Sequence, residues 1–317
     1  METQNIIQVS EFVLLGFSQM EEFQKFLFVV FPFVYVITIV GTLLIMVTVT
    51  IDSQLHIIMY FFSEIRLISF RMSVIDICYS TVTFLKMLVD FLHDTKTISY
   101  QGCMTQIFFF PFLGGGTVFF LPVLACDHYI AISQPLHYVT IMNTRVCVGL
   151  VVAAWIGGFV HSIVQLVLML PLPFCGPNIL DNFYCDIPQM LRLACMDTSL
   201  LEFLMISNSG MLLLIWFLLL LISYTVILVM LRSHSWQARR KAASTCTTHI
   251  IVVSMIFIPC ICIYARPFTP FSMDKAASIS YRVLTPVLNL IIYTLRNQEM
   301  KAAIKRFGKC LVISSKE

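Results

Sequence analysis

The sequence predicts an all-α membrane protein: a seven-transmembrane helix bundle with its N-terminus outside and a short amphipathic C-terminal helix. Three observations carry that prediction. Of 317 residues, 59% are hydrophobic and only 12% are charged, against about 25% charged in a soluble domain. The apolar residues collect in long segments that are apolar all round rather than striped, a pattern that suits lipid better than one large soluble core. Basic residues fall unevenly on the two sides of such a bundle, and that asymmetry sets its orientation. The net charge of +3 is too small to suggest a nucleic-acid partner.

The elements follow in order. Residues 1–25 form the outer N-terminal segment, 26–295 the bundle and 296–317 an inner tail. The first segment carries Glu2, Glu11, Glu21 and Glu22. It lacks a basic start followed by an apolar core, so no cleaved signal peptide is expected and the first span acts as the insertion signal. A span needs roughly 20 apolar residues. Seven are read: Phe26–Thr50, one within Ile57–Leu92, Cys103–Cys126, Val146–Leu170, Leu200–Leu231, Ala243–Tyr264 and Ala276–Leu295. Each must be helical, because in lipid a helix satisfies its own backbone hydrogen bonds. Pro32, Pro122, Pro259 and Pro286 fall inside spans, as kinks that neighbouring helices support.

With the N-terminus outside, the inner segments hold Arg145, Arg232, Arg239, Arg240, Lys241, Arg296 and the basic residues of the tail. The opposite side holds Lys25, Lys96, Arg192, Arg266 and Lys275, with many acids among them. The short loop from Asp52 to His56 has no Lys or Arg and is neutral on the question. In the tail, Lys301, Lys305, Arg306 and Lys309 alternate with Ala302, Ala303, Ile304 and Phe307. That pattern fits a basic helix lying on an anionic inner leaflet; a solvated tail is the alternative. Cys310 stands where a palmitoyl anchor could attach.

Of eleven cysteines, Cys78, Cys126, Cys246, Cys260 and Cys262 lie inside spans and read as packing residues. Cys103, Cys175, Cys185 and Cys195 fall on the outer side, where the oxidising environment favours pairing. Four cysteines allow three connectivities, and composition does not choose among them. No metal site is expected, since the stretch from Cys175 to Cys195 contains no histidine.

A set of motifs then points to a family. Glu11-Phe-Val-Leu-Leu-Gly-Phe-Ser18 resembles the N-terminal signature of olfactory receptors. Leu55-His56 with Met59-Tyr60-Phe61-Phe62 resembles their first inner loop, and Asp76-Ile-Cys-Tyr-Ser80 their second span. Ala131-Ile132 with Pro135-Leu-His-Tyr138 resembles the second inner loop, and Ser223-Tyr224 the end of the fifth span. Lys241-Ala-Ala-Ser-Thr-Cys-Thr-Thr-His249 resembles the start of the sixth span, and Asn289 with Ile292-Tyr293-Thr-Leu-Arg-Asn297 the end of the seventh. So many motifs in the right order cover nearly the whole chain.

The resemblance implies a multi-pass receptor of the plasma membrane, with no catalytic residues and no cofactor. It implies disulfides from Cys103 to Cys185 and from Cys175 to Cys195. It implies a small volatile organic ligand reaching the outer half of the bundle, and a stimulatory heterotrimeric G protein docking inside. Such a ligand binds mainly by apolar burial, at about 25 cal/mol per Å², in a pocket with few polar anchors. Mapped by the motifs, the ligand set is Phe110, Gly114, Gly115, Asn208, Leu212, Phe257, Cys260 and Tyr264, with Asn208 the polar contact from span five. Each has interhelical packing as its simpler reading, the glycines above all. The coupling set is Asp127, His128, Tyr129, Tyr224, His249, Asn289 and Tyr293.

Several residues depart from the family pattern. Asp127-His128-Tyr129 stands where Asp-Arg-Tyr is usual, and histidine is shorter and mostly neutral at physiological pH. Gly41-Thr42 replaces Gly-Asn, Ile58 a proline, Leu290 the proline after Asn289, and Thr117 an acid, while Asp76 remains. The stretch from Tyr60 to Asp76 is longer than in the family and carries Glu64, Arg66 and Arg71. Charges at a helix centre cost roughly 2.5–3.5 kcal/mol each, so the extra turns are expected below the membrane, with the buried part starting near Met72. Arg282 lies well inside span seven, where it must meet an acid or water or damage folding. The chain has no Asn-x-Ser/Thr glycosylation sequon.

Other function classes find less support. A transporter or channel needs charges along a pore or two similar halves, and neither is visible. An intramembrane enzyme needs paired acids, Ser-His or a metal pattern at helical spacing; His161 and His249 are isolated and read as packing or hydrogen-bonding residues. The alternative to a working receptor is a drifted one, which keeps the fold with weak or no coupling through His128, Leu290 and the extended second span.

Overall fold

The computed structural model describes residues 9–16, 21–51, 63–93, 96–134, 137–175, 178–230, 232, 236–269, 273–291 and 301–307. The long helices are α1 (Glu21–Ile51), α2 (Ser63–Phe91), α3 (Tyr100–Ser133) and α5 (Thr144–Met169). They continue with α8 (Met211–Met230), α9 (Trp236–Tyr264) and α10 (Asp274–Ile291). Shorter ones are α4 (Tyr138–Ile141), α6 (Ile187–Leu193) and α7 (Ser199–Met205). A π-helical turn, Ile206–Gly210, joins α7 to α8 in one continuous rod. Residues 301–307 are helical, with Ala303 fully buried and Ile304, like Leu290, packed against Ile45.

Local chemistry sets several starts. Ser99 caps α3 by accepting the Gly102 N–H at 3.1 Å, and Asn143 caps α5 by accepting Val146 N–H at 3.1 Å. The most extensive packing is α3 on α5, followed by α1 on α2 and α9 on α10. The α3–α5 crossing is close because Gly158 faces Gly115 and Gly116. A Cβ on Gly158 would stand 3.3 Å from both the Gly116 nitrogen and the Phe112 carbonyl oxygen.

Five stretches among the described residues are long and apolar enough to cross a membrane: Lys25–Thr48, Tyr100–Phe120, Arg145–Met169, Ser199–Met230 and Cys246–Tyr264. The sequence reading of seven spans adds α2 and α10, which are more polar. Their polarity is turned inward. On α2, Ser73, Asp76, Ser80, Thr83 and Asp90 are buried while Val74, Leu85 and Val89 are exposed. On α10, Ser278, Arg282, Thr285 and Asn289 are buried while Leu284 and Ile291 are exposed. A soluble helix shows the opposite arrangement. Helix α2 also runs 29 residues, about 43 Å at 1.5 Å per residue, longer than the roughly 30 Å hydrocarbon layer. The side chains of Glu64, Arg66, Arg71 and Met72 lie outside the described residues.

One element was not anticipated from sequence. Three short strands, β1 (Glu11–Leu14), β2 (Thr97–Ser99) and β3 (Ile179–Leu180), form a sheet in the order β2-β1-β3. β1 pairs antiparallel with β2, Phe12 opposite Ile98, and parallel with β3, Val13 opposite Ile179. Phe12 and Leu14 bury against Cys103, Met169, Phe174 and Met190, so the N-terminal segment, the α2–α3 loop and the α5–α7 loop close one end of the bundle together.

Candidate functional site

Beneath that closed end lies a cavity of about 120 Å³. An apolar cavity of roughly 150 Å³ is known to hold a benzene-sized molecule, so the space suits a small organic ligand. Its walls are mainly apolar and come from α2, α3, α5, the α5–α7 loop, α8, α9 and α10.

The roof is fixed covalently. Cys103 at the start of α3 is bonded to Cys185, with Cα atoms 5.4 Å apart, and Cys175 to Cys195, with Cα atoms 5.7 Å apart. The first bond pulls the loop over the cavity, where the Cys185 N–H donates to Gln106 Oε1 at 3.0 Å. The next residue, Asp186, is buried at the cavity wall. Its Oδ1 accepts from the Ile187 N–H at 3.0 Å and from the Tyr264 hydroxyl at 2.8 Å. Tyr264 and Tyr281 hydroxyls lie 3.0 Å apart. Burial pushes the Asp186 carboxyl above its ordinary value, and the Arg282 guanidinium works against that shift.

Arg282 answers the question its sequence position raised. It is buried, with Nη2 at 3.9 Å from Asp186 Oδ1. Its guanidinium lies over two aromatic rings, 4.0 Å from the Phe110 centroid and 3.6 Å from that of Tyr184. Both an acid and aromatic faces therefore meet the charge. The opposite wall carries a second polar group, in which Gln165 Nε2 donates to Ser209 Oγ at 2.6 Å and lies 3.0 Å from His161 Nε2.

Six of the eight residues expected at the ligand site line this cavity: Phe110, Gly114, Gly115, Leu212, Cys260 and Tyr264. Asn208 and Phe257 are not among the residues that line it. Phe257 is fully buried one layer back, stacked on Phe217 with centroids 5.6 Å apart. Asn208 falls in the π-helical turn, whose wider winding leaves Ser209 rather than Asn208 on the cavity wall. Sequence reasoning missed Gln106, Gln165, Asp186 and Tyr281. Asp186 could have been found, since it directly follows the cysteine that the expected disulfide ties to span three.

The coupling set is placed only in part. Asn289 Nδ2 donates to Asp76 Oδ1 at 2.9 Å, linking α10 to α2. Tyr224 and His249 rings are 6.1 Å apart, both buried between α8 and α9. Tyr129 is exposed on α3. The side chains of Asp127 and His128, and all of Tyr293, lie outside the described residues.

A helical bundle with apolar outer faces and a small covered cavity is the frame of a membrane protein. Comparison with known proteins gives the family. The family model described as olfactory receptor matches residues 31–309. Among curated relatives, olfactory receptor 4D1 of Homo sapiens is 78% identical over 313 residues, covering 99% of both chains. Olfactory receptor 4N5 of Homo sapiens is 50% identical over 306 residues, covering 96% of this chain and 97% of its own. Olfactory receptor 4E2 of Mus musculus is 47% identical over 310 residues, covering 98% and 99%. The chain belongs to the olfactory receptor family. Members are membrane-embedded G-protein-coupled receptors, not enzymes.

Proposed function

We propose that this chain is an odorant receptor of the plasma membrane. It crosses the bilayer seven times with its N-terminus outside, holds a small, mainly apolar volatile molecule in the cavity under the disulfide-clamped loop, and signals to a stimulatory heterotrimeric G protein. The cavity carries the reading: it sits where α3, α8, α9 and α10 converge, so a ligand there contacts the helices whose other ends would face the G protein. The inward polarity of α2 and α10 supports seven spans, and the excess of Lys and Arg in the segments placed inside supports the orientation. The basic helix at residues 301–307 fits an anionic inner leaflet.

A second reading, a receptor fold with weak coupling, has its own support. His128 replaces the usual arginine, and Leu290 stands where a proline is usual and packs against Gly41, where a Cβ would come within 2.6 Å of it. Cells expressing the tagged chain and challenged with an odorant panel separate the two. A tag before Met1 is expected to stain intact cells, a tag after Glu317 only permeabilised ones, and at least one odorant is expected to raise cyclic AMP. Staining of the C-terminal tag on intact cells would refute the orientation. Surface protein silent to every odorant would favour the weak-coupling reading.

A further inference from the structure

Arg282 is the cavity-wall group whose chemistry the proposed function leaves unused. Its side chain is 4% exposed. The Phe110 and Tyr184 rings meet its guanidinium, yet rings accept no conventional hydrogen bonds. Nη2 stands 3.9 Å from Asp186 Oδ1, beyond hydrogen-bond range, and that oxygen already takes the Tyr264 hydroxyl and the Ile187 N–H. Nε and Nη1 have no hydrogen-bond partner among the described residues. A guanidinium stays charged at any pH a protein meets, and a buried donor left without an acceptor is unfavourable, more so when charged. Arg282 is part of the cavity lining, so a ligand there lies beside the guanidinium, whose Nε and Nη1 are themselves covered. The nearest acid, Asp186, approaches only Nη2 and forms no hydrogen bond to the guanidinium.

We infer that the cavity selects small ligands bearing a carboxylate, whose oxygens meet the guanidinium of Arg282 while the hydrocarbon tail lies against Phe110, Gly114, Leu212 and Cys260. This rests on the reading of the cavity as the odorant site and names its ligand class. A charged acceptor is favoured over a neutral one because charge-assisted hydrogen bonds are about twice as strong as neutral ones. The volume sets the tail at up to about six carbons, the size of benzene in a comparable space.

The test uses the full chain in lipid nanodiscs and reads the thermal midpoint against ligand concentration. Hexanoate, hexanamide and 1-hexanol share a chain length, and the first two share a shape. Hexanoate is expected to raise the midpoint with an apparent affinity at least tenfold tighter than hexanamide or 1-hexanol. Arg282→Gln is expected to abolish that difference, and Arg282→Lys to restore part of it. Equal binding of hexanamide and hexanoate to the unmodified chain overturns the inference, as does the absence of a shift with every straight-chain acid from acetate to octanoate. The comparison on the unmodified chain decides the matter even if Arg282→Gln fails to fold. Cyclic AMP in cells reports separately on the receptor reading. Carboxylate binding without a cyclic AMP response would sink coupling and leave the ligand class standing. Odorant-driven cyclic AMP with no carboxylate binding would do the reverse.

Discussion

Gly210 marks the closest approach between two helices that bound the cavity, and it offers a test worked directly from distances. It ends the π-helical turn before α8 and lies against the last residue of α9. A Cβ built there would stand 2.6 Å from the Ala265 Cα and 2.8 Å from the Tyr264 carbonyl carbon, and closer still to the Tyr264 carbonyl oxygen. These are backbone atoms and cannot rotate away. To bring the Ala265 contact out to the 3.4 Å where ordinary contact begins, the two segments must open by about 0.8 Å. Overpacking of this kind typically costs 1–3 kcal/mol, so Gly210→Ala is expected to destabilise by about 2 kcal/mol. It should also displace Ser209 and Tyr264 at the cavity. Gly149 on α5 is the control, because a Cβ there meets nothing within 4 Å. Gly149→Ala is expected to be neutral or to stabilise by up to about 1 kcal/mol through helix propensity. Thermal denaturation of the detergent-purified proteins compares the two. Equal midpoints for Gly210→Ala and Gly149→Ala would refute the close approach.

Three other perturbations follow from the site. Cys103→Ser removes the bond that holds the loop over the cavity; native disulfides typically contribute about 2–5 kcal/mol, so retention inside the cell is expected, and normal surface staining would contradict it. Tyr264→Phe deletes the hydroxyl that bonds Asp186 and approaches Tyr281, while Tyr264→Ala also removes apolar wall; with any agonist, the alanine variant should lose at least tenfold in potency, about 1.4 kcal/mol, and an unchanged dose response at equal surface level would move the pocket elsewhere. His128→Arg restores a five-donor, permanently charged side chain where histidine offers at most two donors; agonist-driven cyclic AMP is expected to rise at matched surface expression, and no change would make His128 an accepted variant of the switch.

Much of the fold was legible because apolar length is a strong signal. The third span was read as Cys103–Cys126 and α3 runs Tyr100–Ser133; the fourth was read as Val146–Leu170 and α5 runs Thr144–Met169. The errors lie at the ends, where helices continue into polar residues beyond the apolar run. The sheet was not legible. β1 reads as a plain apolar stretch, and its partners lie 86 and 166 positions further on, at Ile98 opposite Phe12 and Ile179 opposite Val13. Nothing local announces such pairing. At the site, family motifs pointed to Phe110, Gly114 and Tyr264, which line the cavity, and to Asn208, which falls in the π-helical turn Ile206–Gly210 and does not. A π-helical turn shifts the face that its residues present, and a linear motif does not show that Ser209 rather than Asn208 lines the wall. Arg282 shows the converse limit: sequence flagged its cost, and only three-dimensional packing revealed Phe110, Tyr184 and Asp186 around it.

The central claim, that the cavity under the clamped loop is where the receptor senses its ligand, is tested most directly by filling it. Gly114 lines the space, and a Cβ there makes a single ordinary contact, 3.6 Å from Tyr79 Cε2. Gly114→Ala should therefore be tolerated, and Gly114→Leu should extend into the cavity and occupy ligand volume. Agonist-driven cyclic AMP is measured for both at matched surface expression. The account predicts at most a modest change for Gly114→Ala and a loss of at least tenfold in potency for Gly114→Leu. An unchanged dose response for surface-delivered Gly114→Leu would contradict it.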